Sequence, residues 1–149
     1  MDRFTAPAGV VLMLTRETDG KKQILLQRRQ NTGFADGLFD LSCSGHVEKG
    51  ESMSDAVLRE CCEELGICLN KGKIKFFCFI HKLDGDKIYY YGYFVCNEFN
   101  GQPAVMEPEK CSELLWTDID NLPCDVIPDR VAAVKAYING VQYLEYGWE

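Results

Sequence analysis

The stretch GHVEKGESMSDAVLRECCEELGI, residues 45–67, sets a glycine-bearing turn ahead of Glu51 and then the cluster Arg59, Glu60, Glu63 and Glu64. Ser52 followed three residues later by Asp55 reads as a capping box, so a helix is expected from Met53 to Leu65 with Gly66 as a left-handed stop. Along it Met53, Ala56, Val57, Cys61 and Leu65 recur at spacings of three and four, which makes one side apolar and packs it on a core. Glu60, Glu63 and Glu64 fall within about one turn. Like charges that close repel, and they also sit at the negative end of the helix dipole. A hard divalent cation would remove both penalties, because Mg2+ and Mn2+ favour carboxylate oxygen and keep positions for water and phosphate. The competing reading is an acidic face that simply solvates a surface helix.

Every position from Gly45 to Ile67 matches G-x5-E-x7-R-E-U-x-E-E-x-G-U, with U aliphatic, except that Cys61 takes the first U. On those residues the chain resembles the Nudix (MutT-like) hydrolases, and at those spacings the acidic cluster reads as a metal site rather than a solvated face. The resemblance implies an α/β Nudix fold, a mixed β-sheet sandwiched between α-helices, with residues 1–149 forming one domain. It implies Mg2+, with Mn2+ as a substitute, bound by the carboxylates of Glu60, Glu63 and Glu64 and by a main-chain carbonyl, here that of Ser44. Glycine is the commoner residue at that position, and a backbone ligand tolerates serine where the dihedrals allow. Arg59 and Glu51 are expected to pair and to hold the loop against the helix.

The reaction implied is hydrolysis of a nucleoside diphosphate-linked substrate, with Glu64, Glu63 or a residue of the 107–109 loop as the base. Residues 106–124, MEPEKCSELLWTDIDNLPC, are similar to the EPEKC-x4-W-x5-LP pattern of a branch of small nucleoside triphosphate diphosphatases. Cleavage of a triphosphate to a monophosphate and pyrophosphate is therefore the leading expectation. Glu107 or Glu109 would serve there as base or extra metal ligand, against the alternative of a solvent-exposed acidic turn. Three other readings stay open: a pyrophosphatase for ADP-ribose or another nucleoside diphosphate derivative, a diphosphate isomerase relative, and a nucleotide-sensing module without turnover. A mere binder has no need of a self-repelling carboxylate cluster, which weighs against the last.

A net charge of −7, from 16 Lys and Arg against 23 Asp and Glu, makes long nucleic acid a poor partner. A small metal-chelated nucleotide is compatible with it, because the cation carries the neutralisation. Positive groups for a polyphosphate are available in Lys22, Arg28, Arg29, Lys73, Lys75 and His81. Phe4, Phe34, Phe39, Tyr89, Tyr91 and Phe94 could stack on a base, with Asn31 or His81 as edge reader. No apolar run approaches the length of about 18 residues that a membrane span needs, and the short N-terminal one lies inside an expected strand. The eight cysteines include no C-x2-C pair and read as reduced core fillers of a cytoplasmic protein.

Around the central helix the chain alternates strands and turns. Strands are expected at Gly9 to Leu14, Gln23 to Gln27, Leu38 to Cys43, Lys75 to Ile80, Lys87 to Cys96 and Glu113 to Thr117, with turns at Asp19-Gly20 and Asp84-Gly85-Asp86. A second helix is expected from Pro128 to Ile138, stopped by Gly140. The tail NGVQYLEYGWE is too apolar for a free terminus and should dock on the domain or on a second subunit, since the resemblance leaves a homodimer open.

Overall fold

A computed structural model describes residues 2–149. In chain order the elements are β1 (Ala8–Thr18), β2 (Lys21–Arg29), β3 (Phe39–Asp40), β4 (Cys43–His46), α1 (Met53–Leu65), β5 (Lys75–Asp84), β6 (Lys87–Cys96), β7 (Cys111–Asp118), α2 (Pro128–Asn139) and β8 (Tyr143–Tyr146). The strands form a mixed sheet with the hydrogen-bonded path β3-β2-β1-β6-β5-β8, to which β4 and β7 add by pairing with β1 and β2. β1 runs parallel to β6 and β5 parallel to β8, and the remaining pairings are antiparallel.

Alternation along the strands sends side chains into two apolar layers. Val10, Leu12 and Leu14 of β1 pack with Ala56, Val57, Cys61 and Leu65 of α1. Val11 and Met13 point the other way, into a layer closed by Ala133, Val134 and Ala136 of α2. The sheet is thus sandwiched between the two helices, and the expected apolar stripe of α1 is the buried one, with Met53 packed at its margin.

Local signals set the boundaries. Ser52 caps α1 by accepting the Asp55 amide at 3.1 Å, and Gly66 ends it at φ 70 with its N–H on the Cys62 carbonyl. Asp19 and Gly20, both at positive φ, form the two-residue loop of the first hairpin. The turn expected across Asp84-Gly85-Asp86 is present, with Gly85-Asp86 as its two-residue loop because Asp84 pairs with Lys87; glycine leads there at φ 65.

The expected strand at Leu38 to Cys43 is two strands. The first part of β1 pairs with β4 at Gly9 to Leu12, and its last part pairs with β2 at Thr15 to Thr18, so the same edge of β1 forks. Chain 39–46 crosses that fork, pairing with β2 at Phe39 and Asp40 and with β1 from Cys43 onward. Ser42 fills the crotch: its hydroxyl accepts the Leu14 amide at 2.7 Å and donates to the Leu25 carbonyl at 2.8 Å. The tail docks on its own domain, with Leu144 opposite Ile80 of β5 and the Trp148 indole donating to the His81 carbonyl at 2.9 Å.

Candidate functional site

The fork opens toward the C-terminal half of α1. Gln27 extends from β2 into it, donating to the Ser42 carbonyl at 3.1 Å and to Glu64 Oε1 at 3.0 Å. Glu64 Oε2 accepts the Ser44 amide at 3.3 Å. Glu60, one turn earlier on α1, lies against Gly45, where a Cβ would overlap its carboxylate. Burial raises the Glu64 carboxyl to about 9; the Gln27 amide opposes the rise and the facing Glu60 reinforces it.

Arg59 ties this arrangement to the loop before the helix. Its guanidinium donates to Glu51 at 2.8 and 3.1 Å and to the His46 carbonyl at 3.1 Å. It also donates to Glu60 at 2.7 Å and reaches Glu63 at 3.4 Å. The hydrogen bond from Arg59 holds the Glu51 carboxyl below its ordinary value. The expected Arg59–Glu51 pair is therefore present. Glu63, in contrast, lies half exposed beside Arg59, away from the groove between Glu60 and Glu64.

Ser44 is held by a buried ionic network. Its hydroxyl donates at 2.8 Å to Asp40, which also accepts Arg29 at 3.0 Å and Arg130 at 2.7 Å. Arg130 continues to the Tyr93 hydroxyl and to Asp129, each at 3.0 Å, and Asp129 pairs with Lys82 at 3.3 Å. Burial alone would raise the Asp40 carboxyl, but the adjacent guanidinium of Arg130 outweighs it and the carboxyl stays below its ordinary value.

Two cavities meet at Arg29, Thr32, Ser44 and Gly45. One, of about 360 Å³, is lined by Gln27, Asn31, Glu60, Glu64, Glu107 and Lys110. The other, of about 430 Å³, is lined by Phe34, His46, Lys82, Lys87, Tyr89 and Tyr91. Both volumes are in the range of small-molecule sites. Arg29 stands at the junction, its Nε on the Phe34 carbonyl at 2.9 Å and one Nη on Asp40. Its other Nη makes no hydrogen bond to protein among the described residues.

Of the acidic loop, Glu107 enters the first cavity, while Glu109 is exposed and contributes its carbonyl to Asn31 at 3.3 Å. The loop docks on the end of α1, with the Ala104 and Met106 amides donating to the carbonyls of Leu65 and Glu64 at 3.1 and 3.3 Å.

Among the stacking candidates, Phe34, Tyr89 and Tyr91 line the second cavity. Phe39 and Phe94 are buried in the core, and Phe4 is exposed elsewhere. Several proposed cations are also elsewhere: Lys22 bonds Tyr137, Arg28 is occupied by Glu113 and Asp125, and Lys73 pairs with Glu98. Lys75 lines neither cavity, and His81 is packed between Tyr90 and Trp148. Sequence reasoning missed Gln27, Lys82, Lys87 and Arg130. Gln27 was findable as the first polar residue after the apolar run Ile24 to Leu26, where the strand is still buried and the amide must find partners.

The oxygen donors that Glu60, Glu64 and the main chain at Ser44 offer fit a divalent cation, and the absence of a Cβ at Gly45 is what lets the Glu60 carboxylate approach that turn. No cluster of three or more His, Cys, Asp or Glu side chains is already gathered for one among the described residues. Glu60, Glu64 and the Ser44 backbone stand together, and Glu63 would join them only by leaving Arg59.

A NUDIX domain family profile matches residues 5–138. The chain is 31% identical over 106 residues to an isopentenyl-diphosphate Delta-isomerase of Serratia proteamaculans, covering 70% of this chain and 59% of that one. It is 38% identical over 114 residues to an uncharacterized Nudix hydrolase of Bacillus subtilis, covering 72% of this chain and 66% of that one. The crystal structure of a MutT NUDIX hydrolase from Burkholderia pseudomallei superposes with a TM-score of 0.76 at 27% identity, covering 89% of this chain and 98% of that one.

Proposed function

The chain belongs to the NUDIX domain family, and we propose that it is a divalent-cation-dependent hydrolase of a nucleoside diphosphate-linked substrate, with a nucleoside triphosphate as the leading candidate. The observation that supports this most is the convergence of Glu60, Glu64 and Ser44 on the glycine cradle where two cavities join. In this reading the carboxylates of Glu60 and Glu64 and the Ser44 carbonyl hold Mg2+ or Mn2+, with Glu63 turning in from Arg59. The bound ion would supply Lewis-acid charge to the diphosphate and to the attacking water.

The protein's own groups do the rest. Arg29, with an Nη left over, grips the phosphate that lies across the two cavities. Tyr89, Tyr91 and Phe34 offer stacking surface to the base, and Lys82 and Lys87 flank it. Glu64 or Glu107 accepts the proton of the water as its oxygen bonds to phosphorus. The phosphoanhydride bond breaks, and a triphosphate leaves as monophosphate and pyrophosphate. Arg59 and Glu51 keep the loop and helix in register throughout.

The similarity to an isopentenyl-diphosphate Delta-isomerase favours a second reading, isomerisation of a diphosphate without hydrolysis. A panel of canonical and oxidised nucleoside triphosphates, ADP-ribose, dinucleoside polyphosphates and isopentenyl diphosphate, with products separated by chromatography, distinguishes these. Monophosphate and pyrophosphate are the expected products. Cleavage of ADP-ribose alone moves the substrate class, rearrangement of isopentenyl diphosphate alone supports the isomerase, and tight binding without turnover supports a sensor.

Two substitutions check the assignment. Arg29→Ala is expected to raise KM by about ten- to a hundredfold with less change in kcat, the value of a lost charge-assisted hydrogen bond. Gly45→Ala displaces Glu60, and Mn2+ affinity measured by calorimetry should fall by about ten- to a hundredfold while the melting temperature holds.

A further inference from the structure

Cys62 and Cys68 are exposed, and their sulfurs lie 3.6 Å apart. Local geometry brings them together: Cys62 is on the last turn of α1, Gly66 reverses the chain in the left-handed conformation, and buried Leu65 and Ile67 anchor the turn. Cys68 also lines an open cavity of about 380 Å³, which gives a small reagent a path to its sulfur. The neighbouring pair Cys43 and Cys61 is sealed in the core at 1% and 0% exposure, so access separates the two pairs.

We propose that Cys62 and Cys68 form a thiol–disulfide site, oxidised by a low-molecular-weight disulfide to an intramolecular cross-link that stiffens the end of α1. The thiolate of one cysteine attacks a sulfur of the reagent, whose S–S bond breaks and releases one thiolate. The second cysteine's thiolate attacks the protein sulfur of the mixed disulfide, and the other half of the reagent leaves. Two protein thiols thereby lose two electrons to the reagent and two protons overall, and the reagent departs as two thiols. The sulfurs close from 3.6 Å to about 2.05 Å, a movement that the chain beyond Gly66 can supply. The cross-link then ties the last helical turn, which carries Glu63 and Glu64 and accepts the Met106 amide, to the segment beyond it. Redox state would set how far that turn frays.

The test equilibrates the full chain with graded ratios of glutathione and glutathione disulfide, blocks free thiols with iodoacetamide after denaturation, and analyses peptide 60–71 by mass spectrometry. The expected form has two hydrogens fewer, with Cys61 alkylated, and is absent in both Cys62→Ser and Cys68→Ser. Amide exchange at residues 63–66 is expected to slow severalfold on oxidation and to recover with dithiothreitol. The proposal is overturned if no cross-link forms, if only mixed disulfides accumulate, if the cross-link survives in Cys62→Ser, or if exchange at residues 63–66 is unchanged. None of these readouts depends on catalytic activity.

Discussion

Arg130→Ala is expected to lower the melting temperature by about 10 °C. Arg130 is 2% exposed and bonds Asp40, Asp129 and Tyr93. Removing the guanidinium leaves two buried carboxylates with only Arg29 and Lys82 to compensate them. Breaking a buried ion pair from one side costs about 3–5 kcal/mol, because the stranded charge keeps its desolvation penalty. For a chain of this length each kcal/mol shifts the midpoint by about 2–4 °C. The same variant should weaken Mn2+ binding, since Asp40 also fixes Ser44 through its hydroxyl. Ser44→Ala separates the two effects: it keeps the ionic network and removes only that link. Thermal unfolding paired with calorimetric titration reads both.

Glu64→Gln is expected to reduce kcat by about a hundred- to ten-thousandfold, the range for losing a group that handles a proton in the transition state. It should also change how stability depends on pH. In metal-free folded protein the Glu64 carboxyl is raised to about 9 from a reference of 4.5. Between those values the folded chain holds a proton that the unfolded chain has released. That contribution to stability is complete below the unfolded value and is lost as pH rises through the folded one. The melting temperature measured in chelator should therefore fall between about pH 5 and pH 9 more steeply for the wild type than for Glu64→Gln. In the proposed site Mg2+ would bind the deprotonated carboxylate, so saturating Mg2+ should remove most of the difference. An equal pH slope in the two proteins would mean that Glu64 is already ionised in the fold.

The parts of this structure legible in the sequence are those fixed by local chemistry. The Ser52 cap, the Gly66 stop and the apolar stripe of α1 lie within a few residues of one another, so spacing alone places Glu60 and Glu64 on the core-side margin of the helix. The Arg59–Glu51 pair was expected from the family resemblance and not from spacing, and it is present. The break at Leu41 and Ser42 was not, because residues 38–43 carry the pattern of one continuous strand, and only the fork in β1 divides them. The network of Asp40, Arg130, Asp129 and Lys82 was hidden for another reason. Charged residues in a sequence read as surface, and these are brought together from β3, α2 and β5 only by the tertiary fold. Three glutamates at helical spacing also suggested a common direction for their side chains. Arg59 draws Glu63 outward, so two converge and one waits at the side.

The initial rate of phosphoanhydride cleavage, measured against Mg2+ concentration from a chelator baseline for the wild type and Glu64→Gln, tests the reading of the site most directly. The expected result is no turnover in chelator, a saturable rise with Mg2+ in the wild type, and a nearly flat response in the variant. Cleavage that is independent of the cation, or a variant as active as the wild type, would contradict the assignment of Glu60, Glu64 and Ser44 as the reactive centre.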